Sequence, residues 1–148
     1  MESVWDYPRP PRLEATTKHL VVRFAGRVLA ETTHGYRILE TSHPPVYYFP
    51  PDDVDWSALD VSRRTTFCEW KGTATYVSAN GVDIGWRYLA PTPAYATLVD
   101  HVAFYAGRVD ECTVDGEVVT PQPGEFYGGW ITADITGPFK GEPGTSGW

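Results

Sequence analysis

The segment "TATYVSANGVDIGWRY", residues 73–88, gives the clearest indication of the fold. Residues that favour strands lie on both sides of the pair Asn80-Gly81. Asn-Gly tolerates the positive φ angles that a type I′ turn requires. The segment therefore predicts a β-hairpin.

Two other segments predict hairpins of the same kind. "DECTVDGEVVT", residues 110–120, has a second strong turn signal at Asp115-Gly116. "HLVVRFAGRVLAET", residues 19–32, has a weaker signal at Ala25-Gly26. The runs "GYRILE" (35–40) and "VYYFP" (46–50) predict two more strands, separated by the proline-containing turn "TSHPP".

One short helix is predicted in "TPAYATLVDH", residues 92–101, with Thr92 as its N-cap and Pro93 at its first position. Together these signals predict a mainly β protein, a small single-domain curled antiparallel sheet or barrel with one short helix near residues 92–100.

The whole chain, residues 1–148, is predicted to form a single domain, because its length is typical of one. Residues 1–18 contain Pro8, Pro10 and Pro11 and are expected to form an extended, proline-rich arm. Residues 19–120 are expected to form the β core. Residues 121–148, rich in Gly, Pro and aromatic residues, are expected to wrap the body as irregular chain, held by Phe126, Tyr127, Trp130, Phe139 and Trp148.

Composition argues against several classes of partner. The net charge of −7 disfavours nucleic acid and anionic membranes. No apolar run approaches the ~20 residues of a membrane span. Cys68 and Cys112 are isolated, so no disulfide framework and no zinc knuckle is predicted. We therefore expect no metal, no cofactor and, since the N-terminus lacks a signal-peptide pattern, a cytoplasmic location.

Four motifs, in order, resemble the bacterial family called domain of unknown function 427. They are "HPPVYYFPPDDV" (43–54), "CEWKGTATY" (68–76), "WRYLAPTPAY" (86–95) and "HVAFYAGRVD" (101–110). The resemblance covers roughly residues 19–119 and is strongest to actinobacterial-type members with an extended C-terminal segment. The family's Cys, two intervening residues and Lys-Gly correspond here to Cys68, Lys71 and Gly72.

That family has been loosely labelled nucleotidyltransferase-like. The chain contains no Gly-Ser followed by an Asp-x-Asp carboxylate pair, and no Gly-rich loop that opens a helix and could hold phosphates. The sequence therefore gives this label no support.

The segment "TTFCEWKGTATYVSANG", residues 65–81, also reads as a strand. In a regular strand Cys68 and Lys71 point to opposite faces, so a Lys-activated thiolate would require a bulge. The alternative is that Cys68 is a buried small hydrophobe.

Glu40 and His43, at the end of the first of the two proline-linked strands, are candidate general bases. With Lys71 as an electrostatic stabiliser they would form the site of a small hydrolase or lyase. The alternative is an exposed carboxylate followed by a turn histidine. The sequence does not decide whether the protein is an enzyme.

The abundance of aromatic residues supports a different hypothesis, which we favour. A β domain of unknown activity would bind a small molecule in an aromatic-lined pocket. The candidate ligand-binding residues are Tyr48, Cys68, Lys71, Trp86 and Tyr105, beside the Glu40 and His43 already named. The alternatives are a plain aromatic core and an interaction or oligomerisation protein, whose two end segments would pack on a partner or on a second copy of the chain as a homodimer.

Overall fold

The computed structural model describes residues 1–124 and 126–148. Its strands are β1 (Glu2–Ser3), β2 (Arg12–Ala15), β3 (Leu20–Phe24), β4 (Arg27–Thr32), β5 (Tyr36–Leu39), β6 (Val46–Tyr48), β7 (Asp60–Cys68), β8 (Gly72–Ala79), β9 (Val82–Tyr88), β10 (Val102–Phe104), β11 (Glu111–Val114), β12 (Glu117–Val118), β13 (Thr120–Pro121), β14 (Trp130–Ile131) and β15 (Ile135–Thr136). Short 3-10 helices span Val4–Asp6, Pro51–Asp53, Trp56–Ala58, Pro93–Leu98 and Ala106–Arg108. The prediction of a mainly β protein is confirmed.

All three predicted two-residue turns are present. Ala25, Asn80 and Asp115 have φ angles of +53°, +52° and +49°, and each is followed by a glycine with positive φ. They join β3 to β4, β8 to β9 and β11 to β12 as antiparallel pairs. Because both turn residues have positive φ, as type I′ turns require, turn chemistry alone was enough to predict these hairpins.

The helix predicted near residues 92–100 is present as the 3-10 helix Pro93–Leu98. It is kinked at Tyr95, whose φ and ψ are not helical. Thr92 precedes it but makes no side-chain cap. No helix in the described part of the chain has the length and apolar character to cross a membrane.

The strand predicted over residues 65–81 is wrong, because the chain reverses in the middle of that segment. Strand β7 ends at Cys68, β8 begins at Gly72, and these two residues face each other as the last pair of the ladder. Gly72 has a φ of +106°, a conformation that glycine adopts without steric cost. The three-residue loop therefore returns Lys71 to the neighbourhood of Cys68.

The sheets curl without closing. A central sheet has the order β10-β9-β8-β7, a second has the order β12-β11-β3-β4, and a third has the order β2-β5-β6. Reciprocal backbone hydrogen bonds between Phe49 and Val102 join the third sheet to the β10 edge of the central one. Within the described residues β7 has no strand on its outer side, so the curled sheet is confirmed and the barrel is not formed.

The central sheet separates two apolar clusters by side-chain alternation. Val77, Ile84 and Phe104 lie on one face and pack against the second sheet in the larger cluster. Tyr76 and Trp86 lie on the other face, together with residues of the third sheet. Successive strand residues point to opposite faces, and in β9 the register shift at Ile84 reverses the alternation before Trp86, so both clusters are built from the same strands.

Both ends of the chain add strands to the body. β1 pairs in parallel with β15, and β2 pairs with β5. Val4 is fully buried, whereas the Trp5 side chain is exposed and donates its indole N–H to the Pro138 carbonyl over 2.9 Å. Residues 1–18, expected as an extended arm, thus include paired strands.

The segment expected to wrap the body, residues 121–148, is described except at residue 125. Trp130 is buried in the larger cluster, and its indole N–H donates to the Phe104 carbonyl over 3.0 Å. Phe126, expected to hold the segment down, is 56% exposed. Tyr127 and Gly128 lie over the face of the central sheet that carries Trp86.

Candidate functional site

A cavity of about 330 Å³ lies on the face of the central sheet that carries Tyr76 and Trp86, and we call it the aromatic cavity. Side chains from β5 to β9 and from the C-terminal segment enclose it. Its lining includes Ile38, Glu40, His43, Val46, Tyr48, Thr66, Cys68, Lys71, Ala74, Tyr76, Trp86, Tyr88, Tyr105, Gln122, Tyr127, Gly128, Lys140 and Trp148.

Strand pairing forms the floor of the cavity. Thr66 of β7 faces Ala74 of β8, which faces Tyr88 of β9, and Tyr76 faces Trp86. These positions are two residues apart along each strand and therefore lie on one face of the sheet. A hydrogen bond of 3.0 Å joins the Thr66 and Tyr76 hydroxyls.

Three aromatic side chains form an inner wall. The Trp86 ring centroid lies 4.8 Å from that of Tyr105 and 6.3 Å from that of Tyr48. The Trp86 indole N–H donates to the Tyr48 hydroxyl over 3.4 Å. Burial raises the pKa of both tyrosines, so their hydroxyls are neutral at neutral pH and can serve as hydrogen-bond partners.

Lys71 reaches the cavity from the loop between β7 and β8. Thr92 holds this loop, because its backbone N–H donates to the Lys71 carbonyl over 3.1 Å and its hydroxyl donates to the Trp70 carbonyl. Only 9% of Lys71 is exposed, and Nζ lies 5.9 Å from the Tyr88 ring centroid. Among the described residues, no acceptor lies within hydrogen-bond distance of Nζ and no carboxylate within ion-pair distance.

The Lys71 ammonium is nevertheless charged at neutral pH. Burial by itself lowers the pKa of Lys71, but the net direction is upward from the ordinary value, because the electrostatic influence of Tyr48, Cys68 and Glu40 favours the ammonium form. The cavity therefore contains a buried cation that makes no direct ion pair within the described part of the chain, although Glu40 acts on it from a longer distance.

Glu40 and His43 lie in the turn between β5 and β6. Ser42, at the centre of the turn, has a φ of +72° and is fully buried. Its N–H donates to the Val4 carbonyl over 3.0 Å, and its carbonyl accepts from the Lys140 N–H over 2.8 Å. This anchored turn places His43 Nε2 4.0 Å from Glu40 Oε2.

Gln122 determines which nitrogen of His43 carries the proton. Its Oε1 accepts from the Gly129 N–H over 3.0 Å, and its Nε2 donates to the Lys140 carbonyl over 2.9 Å. The opposite amide orientation would place donor against donor and acceptor against acceptor. The amide nitrogen also lies 3.0 Å from His43 Nδ1, so Nδ1 accepts and the proton of the neutral ring is on Nε2.

The His43 ring is neutral at physiological pH. Burial, followed by the positive charges of Lys140, Lys71 and Arg9, lowers the pKa of His43 to about 4. A neutral ring with Nδ1 engaged and Nε2 protonated has no free lone pair in its plane. His43 thus presents a hydrogen-bond donor to the cavity.

The C-terminal segment covers the cavity. The Tyr127 ring contacts His43 edge to face, with centroids 5.1 Å apart. A Cβ added to Gly128 would lie 2.2 Å from Cη2 of Trp86, so the backbone rests directly on the indole. Lys140 adds a second ammonium to the lining, and its Nζ donates to the Trp148 carbonyl over 2.8 Å.

The structure brings together every side chain that the sequence identified as a candidate. All seven line the aromatic cavity, namely Glu40, His43, Tyr48, Cys68, Lys71, Trp86 and Tyr105. Their roles in binding or catalysis stay predictions. The turn between β7 and β8 also removes the predicted separation of Cys68 from Lys71 onto opposite faces.

Sequence reasoning missed several other lining residues. Tyr88, an aromatic residue of a predicted strand, was not among the selected candidates, although it lies two positions after Trp86 and alternation places both on one face. Gln122, Tyr127 and Lys140 lie in irregular chain, where no periodicity indicates which side chains meet the body.

Metal-ligating residues are dispersed. In residues 1–124 and 126–148, no group of three or more His, Cys, Asp or Glu side chains is placed to hold a metal ion. Cys68 and Cys112 are both free thiols. Cys112 lies in the larger apolar cluster, and burial raises the pKa of its thiol to about 12.

Comparison with known proteins identifies one family. The model of the family described as "Domain of unknown function (DUF427)" matches residues 12–115, which confirms the resemblance seen in the sequence. No curated protein matches the chain. The matched region includes the cavity floor, the Glu40–His43 turn and Lys71, whereas Gln122, Tyr127 and Lys140 lie outside it.

Proposed function

The chain belongs to the DUF427 family, and we propose that it binds a small planar molecule in the aromatic cavity. The observation that carries this proposal is the convergence of polar and aromatic side chains on one cavity of about 330 Å³. That volume is within the range of small-molecule sites, which are mostly apolar with a few convergent polar groups.

The alternative of a plain aromatic core fits the cavity poorly. Protein cores are close-packed and contain few voids larger than a water molecule. Here a cavity of about 330 Å³ lies beside Trp86, Tyr105 and Tyr127, and Lys71 is part of its lining. A buried ammonium group with no direct ion pair among the described residues is unusual in a core and is typical of a binding site.

The hydrolase or lyase hypothesis receives less support from the geometry. It requires Glu40 or His43 to accept a proton. His43 is held as an Nε2–H donor by Gln122, which leaves Glu40 as the candidate base. Binding accounts for the same residues without a proton-transfer step, and it is the function we propose.

A fragment titration followed by ¹H–¹⁵N NMR would test the proposal. The indole N–H signals provide an internal control, since the Trp86 N–H is at the cavity and the Trp130 N–H is buried in the other cluster. We expect planar aromatic fragments to shift the Trp86 signal and those of neighbouring lining residues, while Trp130 is unchanged. The absence of any shift at Trp86, or equal shifts at both indoles, would refute the proposal.

The remaining partner hypotheses stay predictions. The homodimer can be tested by light scattering over a range of concentrations. The exclusion of nucleic acid and anionic membranes can be tested by binding assays at low salt, where electrostatic association is strongest. Cytoplasmic location requires fractionation of cells that express the protein.

A further inference from the structure

The charge of the aromatic cavity differs in sign from that of the whole chain. The protein has a net charge of −7. Among the described residues, the cavity lining nevertheless contains two ammonium groups, on Lys71 and Lys140, and one carboxyl group, on Glu40. Arg9 adds a further positive charge that acts on His43. This local excess of positive charge favours an anionic ligand.

Lys71 is the cationic group best placed to bind an anionic ligand in the cavity. It is nine-tenths buried, it lines the cavity, and among the described residues it has neither a hydrogen-bond acceptor nor an ion-pair partner. Lys140 differs, because its Nζ is already bonded to the Trp148 carbonyl. The Lys71 ammonium therefore has three N–H donors available in a site that is largely shielded from water.

A second donor lies in the same cavity. The Nε2–H of His43 is 4.0 Å from Glu40 Oε2, beyond ordinary hydrogen-bond distance, whereas Nδ1 is held by Gln122. A ligand oxygen can therefore occupy this donor without displacing an existing bond. An oxyanion offers several acceptor oxygens and can meet both donors at once.

We propose that the ligand of the aromatic cavity carries an oxyanion, either a carboxylate or a phosphate. This inference rests on the small-molecule binding proposed above. Lys71 Nζ binds this group as an ion pair, and the His43 Nε2–H donates a hydrogen bond to it. The planar part of the ligand lies against the rings of Trp86 and Tyr105.

Glu40 opposes an anion at its own end of the site. Its carboxyl group lies 4.0 Å from His43 Nε2 and lines the same cavity, so it repels an anionic group that comes close to it. A ligand hydroxyl or N–H could donate to Glu40 without this penalty. A cationic ligand held by Glu40 and the aromatic rings is the competing arrangement, and it would be repelled by the Lys71 ammonium.

Four probes that share one ring distinguish these arrangements. Benzoate, phenyl phosphate, benzamide and benzylamine would be titrated at pH 7 into the full chain, with the affinity read from NMR shifts at the cavity. We expect benzoate or phenyl phosphate to bind about tenfold more tightly than benzamide. Whichever of the two anions binds more tightly identifies the kind of oxyanion.

Matched variants assign the effect to one side chain. Lys71→Gln should reduce benzoate affinity to that of benzamide and leave benzamide affinity unchanged. Glu40→Gln should raise benzoate affinity severalfold, because it removes a repulsive charge. Lys18→Gln, which removes the same charge from an exposed position paired with Asp134, should leave every affinity unchanged.

The outcomes separate this inference from the proposed function. If benzamide binds at the cavity as tightly as benzoate, or if benzylamine binds most tightly, the oxyanion inference is overturned and the binding function stands. If none of the probes perturbs the cavity, both fail. The comparison of probes on the native chain decides the inference even if Lys71→Gln does not fold.

Discussion

The protonation of His43 is the prediction that tests the site most directly. The perturbation is a decrease of pH from 8 to 3, and the observable is the ring of one histidine. The structure lowers the pKa of His43 to about 4 from an ordinary value near 6.5. The causes are burial and the neighbouring positive charges, and the Gln122 amide adds a donor where an imidazolium would need an acceptor.

The sign and size of the effect on stability follow from proton linkage. Between pH 6.5 and about 4 the unfolded chain binds a proton at His43 and the folded chain does not. The contribution of His43 to the free energy of unfolding is therefore fully present above pH 6.5, and it is lost as the pH falls towards 4. The loss amounts to about 3 kcal/mol, since each pKa unit is worth about 1.4 kcal/mol.

Long-range ¹H–¹⁵N NMR measures both the pKa and the tautomer. We expect His43 to show a protonated Nε2 and an unprotonated Nδ1 from pH 8 to about pH 5. His43→Gln assigns the signals, and its free energy of unfolding should depend less steeply on pH over the same range. Gln122→Glu replaces the amide donor with a carboxylate and should raise the pKa of His43 by about 1–3 units.

Two results would refute this reasoning. A pKa of His43 near its ordinary value would show that burial and the nearby cations are compensated by another group. A proton on Nδ1 at neutral pH would show that Gln122 does not donate to the ring. In either case His43 would be available as a base, and the enzyme hypothesis would regain support.

Three further predictions concern the same cavity. Lys71→Met should change the free energy of unfolding by less than about 1 kcal/mol in urea denaturation, because relief of the burial penalty and loss of the attraction to groups such as Glu40 oppose each other. A larger loss would show that Lys71 makes a direct ion pair. Gly128→Ala should cost about 1–3 kcal/mol by displacing the indole beneath it, whereas Gly147→Ala, in open space, should be nearly neutral. Iodoacetamide should alkylate Cys68 at least about tenfold faster than Cys112 in the folded protein, as measured by mass spectrometry; similar rates would contradict the placement of both thiols.

Much of the fold could be predicted because the information is local. Asn80-Gly81 and Asp115-Gly116 specify their own backbone angles, and alternation then assigns the neighbouring residues to faces. The loop after Cys68 could not be found in this way. Gly72 gives the positive φ, but a lone glycine in a strand-like run is equally compatible with a bulge.

The candidate site was predictable where it lies on regular strands. Tyr48, Cys68 and Trp86 belong to strands, and the aromatic content indicated a pocket or an aromatic core. The cover of the cavity was not predictable. Tyr127 and Lys140 lie in irregular chain, where side-chain direction depends on contacts with the body and not on sequence spacing.

The sequence by itself determined the class of fold and the hairpin turns, because these depend on backbone preferences over a few residues, and it identified only those cavity residues that lie on or beside the strands. The tertiary structure alone decided their chemistry. Gln122 meets His43 across 79 positions of the chain and keeps it a donor. The loop at Gly72 buries Lys71 where no described carboxylate lies within ion-pair distance of its ammonium. Protonation and ion pairing depend on burial and on distances between groups remote in sequence, and only the folded chain sets those.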